Sequence, residues 1–171
     1  EMQIEYLRKK TEKLKFMKQH IENVRKGIDS FEVRELPVGY VIYANNTGKV
    51  KYSEIKEIFN NPAFSFGNMC YHIKKDGGVY RADRLMFVIM EPMLAISPLK
   101  GKDGILAQLE GGKCLYTIKS FDEKQVDIEW NFLSIFEYAR EHGIVYSDDI
   151  YAFYIYSLVS GEEIKDYYEI Y

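Results

Sequence analysis

A chain of 171 residues, 47% of them hydrophobic, can bury one real core and reads as a single compact domain with one appended element. Its net charge of −3 and pI near 5.7 exclude a surface that grips nucleic acid over its whole extent. No apolar run is long enough to cross a bilayer, and no signal peptide is present, so a cytoplasmic protein without a membrane partner is expected. Cys70 and Cys114 lie in apolar surroundings and are expected as two buried thiols in a reducing compartment rather than as a disulfide.

Residues 1–30 carry eight Lys or Arg against five Asp or Glu, and residues 1–27 hold no proline. Leu7, Leu14, Ile21 and Ile28 recur every seven residues, with Met17 and Val24 three after their partners and Lys10 spoiling one position. That spacing predicts a long coiled-coil helix, and with it a homodimer seam. A surface helix packed on its own domain is the competing reading. The chain begins at Glu1 inside this pattern, which reads as a piece excised from a longer protein.

The globular part, residues 31–171, divides into two similar units at about 31–100 and 108–171. In the first, a β-like run over 31–44 is interrupted by Pro37 and Gly39. A helix is predicted over 52–60, stopped by Asn60-Asn61-Pro62, and strands over 69–74 and 85–90 flank Asp76-Gly77-Gly78. In the second, a strand covers 112–119, and Ser120-Phe121-Asp122-Glu123 has the form of a capping box. The helix it opens runs to His142, with Gly143 as its C-cap and Ile128, Phe132, Ile135 and Ala139 on one apolar face. The expected fold is α+β: a long N-terminal coiled-coil helix, then two strand–helix–strand–strand units forming one antiparallel sheet covered by two helices on one face.

Residues 149–171 are the most informative stretch. Two runs of β-formers flank Ser160-Gly161-Glu162-Glu163. Strict alternation puts Ala152, Tyr154 and Tyr156 on one face of the first strand, and Tyr167, Glu169 and Tyr171 on one face of the second. Together they would make a wall of phenols around one carboxylate, suited to flat apolar or cationic molecules through stacking and cation–π attraction. Tyr71 joins the candidate pocket by pseudo-symmetry with Tyr154, and Trp130 as a wall rather than core. For each tyrosine the plainer reading is a sheet residue with a wet hydroxyl. His20, His72 and His142 show no metal spacing with the cysteines, and no nucleophile elbow, P-loop or dinucleotide fingerprint is present, so neither metal nor cofactor is expected.

The order of elements, ending in Tyr168-Glu169-Ile170-Tyr171, resembles the C-terminal effector-binding part of MerR-type multidrug-sensing transcription regulators, the GyrI-like small-molecule-binding fold. The resemblance implies a first helix that pairs two protomers and a preceding winged helix-turn-helix, absent from this chain, through which alone DNA is bound. It implies a pocket for planar, lipophilic, often cationic molecules, with Glu169 and Tyr171 matching the glutamate and tyrosine of the last strand. Many relatives carry a further pocket acid on the preceding strand; Tyr151-Ala152-Phe153-Tyr154 places Ala152 there, which admits neutral or larger aromatic ligands. The expected function is a non-enzymatic ligand sensor. The alternative is a small hydrolase on the same scaffold, with Glu169 as general base and Tyr171 or Tyr154 as donor. A third reading is an interaction domain whose tyrosine face is covered by protein.

Overall fold

The computed structural model describes residues 27–46, 60–99, 103–122, 132–147, 149–161 and 163–171, with scattered residues between 4 and 24 and Lys56. It is built on one eight-stranded sheet of β1 (Glu32–Leu36), β2 (Gly39–Asn45), β3 (Asn68–Asp76), β4 (Val79–Met90), β5 (Ala107–Leu109), β6 (Gly112–Asp122), β7 (Ile150–Ser160) and β8 (Glu163–Ile170). Every ladder is antiparallel, in the order β1-β6-β8-β7-β3-β4-β2-β5. Among the described residues the helical elements are short: a 3-10 turn at Pro62–Phe66, α1 (Glu91–Leu94) and α2 (Leu133–Glu141).

This corrects the expected helix-rich α+β layout. The long coiled-coil helix is not among the described elements. Instead, the end of the seam is spent on the chain's own sheet: Val24 is 0% exposed against Tyr116 and Ile118, and Ile28 bridges Ile118 in parallel. Asp29 N donates to Ile118 O at 3.1 Å, and Lys119 Nζ reaches Asp29 Oδ1 at 2.8 Å. The capping box is also overturned. Ser120, Phe121 and Asp122 belong to β6 and pair with Tyr167, Asp166 and Lys165, because a cross-strand ladder outweighs a local cap. Most of the helix expected over 52–60, and residues 123–131, lie outside the described residues.

The sheet order carries an internal symmetry. Adding four to each strand number turns β3-β4-β2 into β7-β8-β6, so the halves meet at the β3–β7 ladder. The outermost strands are exchanged: β1 pairs with β6 and β5 with β2. Pro37-Val38 alone links β1 to β2, and Glu110-Gly111 alone links β5 to β6, so the two ends of the sheet must approach each other. Pro37 supplies the break, since it cannot donate to a ladder. Gly111 sits at the crossing of the two links, where a Cβ would lie 2.6 Å from Leu36 O and 3.0 Å from Val38 N. The sheet is therefore curled, with Leu36 reaching Val41, Cys70, Val88, Leu109 and Phe153 across its concave face.

The convex face is covered by the short helices. Ile135 and Phe132 of α2 and its start pack on Ile73, Ile150, Ala152, Tyr168 and Ile170, while Met93 of α1 packs on Ile89 and Ala63. Each fully buried large apolar side chain contributes about 1.5–3 kcal/mol. The β3–β4 hairpin closes on Gly77-Gly78, both at positive φ (57° and 89°), as a two-residue turn twisted to match its strands requires.

Candidate functional site

The ladder registers decide which side chains share the concave face. Cys70 pairs with Phe153 at the centre; Met86 lies opposite Cys70 and Glu169 opposite Phe153. Ile118 lies opposite Glu169. One side of the central pair is thus apolar (Met86, Val88, Val41), and the symmetry-related side carries the carboxylate. Beside this row runs a band of rings across four strands. His72 stacks on Tyr151 at 5.1 Å, Tyr151 and Tyr171 exchange backbone hydrogen bonds, and Tyr171 meets Tyr116 at 5.0 Å. Phe153 abuts Tyr171 edge-on at 5.7 Å.

Glu169 is 8% exposed, and its Oε1 accepts a 2.7 Å hydrogen bond from Tyr116 Oη. Burial first, and then the neighbouring Glu169 charge, push the Tyr116 and Tyr171 hydroxyls far above the ordinary phenol range. Both phenols are donors at any physiological pH. The Arg34 guanidinium lies over the Tyr116 ring, 3.7 Å from its centroid, and is ion-paired with Glu32. Glu32, Arg34 and Glu169 together carry one negative charge. The Tyr116 face is thus occupied by a cation of the chain itself.

The predicted residues divide between two faces. Tyr167, Glu169 and Tyr171 share the concave face, and Tyr156 joins them, stacked on Tyr167 at 4.9 Å. Ala152 and Tyr154 do not. They pair with Ile170 and Tyr168 and, with Tyr71 opposite Ala152, point to the helix-covered side. The expectation that Ala152, Tyr154 and Tyr156 share a face fails because the register shifts between Tyr154 and Tyr156: one extra residue, Ile155, reverses the alternation. Ala152 accordingly faces away from Glu169 rather than flanking it. Trp130 lies outside the described residues.

Sequence reasoning missed Tyr116, Arg34 and Phe153. The alternation Cys114-x-Tyr116-x-Ile118 was visible, but nothing local says that this strand lies beside β8. Cys70 is buried and Cys114 half-buried, both as free thiols, and burial raises both above their ordinary range. No cluster of His, Cys, Asp and Glu among the described residues is arranged to hold a metal ion. No described helix is long and apolar enough to cross a membrane. No family model matches the chain, and no curated protein sequence matches it.

Proposed function

We propose that this chain is a ligand-sensing module that binds lipophilic aromatic molecules, preferentially cations, on the concave face around Glu169. The observation that carries the reading is a buried carboxylate, hydrogen-bonded by Tyr116, beside the half-buried rings of Tyr156, Tyr167 and Tyr171. Such a site suits an amphiphile: the half-buried rings receive the flat body, and Glu169 selects charge.

The resemblance to MerR-type regulators adds the role of a transcription regulator's sensor, with DNA bound by a separate domain. The route for a signal would be the segment that packs Val24 on Tyr116 and Ile118, directly beside the Glu169 hydrogen bond. A ligand that displaced Tyr116 would alter that contact, and regulation requires the ligand to prefer one arrangement over the other.

Fluorescence polarisation with rhodamine 6G tests the reading. Saturable micromolar binding, weakened in Glu169→Gln, is expected. Absence of binding, or binding indifferent to that substitution, would refute it. Chemical turnover of bound esters that disappears in Glu169→Gln would establish the hydrolase instead.

A further inference from the structure

A cleft of about 480 Å³ opens on the helix-covered side, between the turn after α2 and the β1–β6 edge. Its size falls within the range of about 300–1,000 Å³ typical of small-molecule sites. α2 ends where Gly143 takes left-handed backbone (φ 64°) and Ile144 N donates to Ala139 O at 2.8 Å, turning the chain back over the helix. The turn then continues as Ile144-Val145-Tyr146, where polar residues would ordinarily stand. Val145 is 97% exposed and Val33, on the facing strand, is 56% exposed. Leu115, Ile135, Phe136 and Ile170 also line the cleft. Apolar walls left open around an apolar floor mark a binding surface rather than a core.

The rim carries one carboxylate and one ammonium, in different settings. The Asp149 carboxylate is committed to His72, with Oδ1 2.9 Å from Nε2. Lys113 is exposed and has no ion pair among the described residues; Glu35 pairs with it in the ladder but lies beyond ion-pair distance. The cleft thus presents a cation beside an apolar floor.

The geometry points to a second small-molecule site here, for a lipophilic carboxylate whose apolar body lies on Leu115, Ile135 and Phe136 and whose charge meets Lys113. It does not rest on the Glu169 reading. Ile170 faces this cleft and Glu169 the opposite side of β8, while Tyr171 at the strand's end borders both sites.

The test is an amide-resolved NMR titration of the chain with 2-naphthoate and with neutral 2-naphthamide, in wild type, Lys113→Gln and Glu169→Gln. Saturable shifts centred on residues 144–147, Leu115 and Ile135 are expected for both compounds. The carboxylate should bind about threefold tighter, as an exposed ion pair allows. Lys113→Gln should erase that preference, and Glu169→Gln should leave it unchanged. Equal affinity of the two compounds for wild type, shifts confined to the concave face, or no saturable shift would overturn the assignment. Lys113 is exposed, so its substitution leaves the fold intact.

Discussion

Replacing Tyr116 by Phe removes one hydroxyl and keeps the ring that packs on Tyr171 and Val24. The loss is therefore specific to the 2.7 Å hydrogen bond to Glu169, a carboxylate that is 8% exposed. A hydrogen bond to a charged acceptor contributes roughly 1.5–3 kcal/mol, and burial of both partners places this one toward the upper end. Glu169→Gln keeps an oxygen able to accept from Tyr116 but removes the charge, so a smaller loss of about 1 kcal/mol is expected. Because the two groups act as a pair, the double variant should lose less than the sum, with a coupling of about 1 kcal/mol or more. Urea unfolding followed by far-UV circular dichroism measures all four corners of the cycle, with the slope on denaturant expected to stay constant. Strict additivity, or a Tyr116→Phe loss under about 0.5 kcal/mol, would refute a buried, coupled pair.

Three further outcomes follow from the same geometry. Tyr116, Tyr168 and Tyr171 have hydroxyls raised chiefly by burial, so the native state holds protons that the unfolded chain releases. Their stabilisation is fully present below about pH 10 and is lost as pH rises beyond it. Phenolate absorbance near the alkaline transition should appear together with unfolding, and smooth titration of all fifteen tyrosines in a folded protein would contradict this. Gly111→Ala would set a Cβ 2.6 Å from Leu36 O, a backbone atom that cannot swing aside, so a loss of about 1–3 kcal/mol is expected in the same unfolding assay; a neutral result would dissolve the crossing of the two links. Ala152→Glu would bury a charge among Ile73, Ile135 and Ile170, costing more than about 3 kcal/mol and adding nothing to cation affinity. A stable Ala152→Glu variant with tighter cation binding would return Ala152 to the pocket.

Local chemistry made part of this architecture legible. The strand runs expected over 69–74 and 85–90 lie inside β3 and β4, Gly77-Gly78 turns between them, and Pro37 divides β1 from β2, because turn residues and β-formers act within a few positions. What was not legible is set by partners distant in sequence. Nothing near Glu32 says that β1 leaves its own half to pair with β6. The same ladder logic made Ser120 a strand residue despite its capping-box form, and the shift at Ile155 reversed the face of every residue beyond it. At the candidate site, alternation along β8 placed Tyr167, Glu169 and Tyr171 together, whereas Tyr116 and Arg34 enter only through the neighbouring strands. Most of residues 1–28 lie outside the described residues; of the heptad's members, Val24 and Ile28 have the spacing of a helix seam, yet the buried surface they find is Ile118 of the same chain.

Charge-selective binding at Glu169 can be read by isothermal titration calorimetry with tetraphenylphosphonium and neutral triphenylphosphine oxide. Both compounds present similar aromatic surface, so the half-buried rings should receive either one. Wild type should prefer the cation by about tenfold, the effect of one well-placed buried charge, and Glu169→Gln should lose this preference while keeping its affinity for the neutral compound. Equal binding of the two by wild type, or a preference that survives in Glu169→Gln, would contradict it.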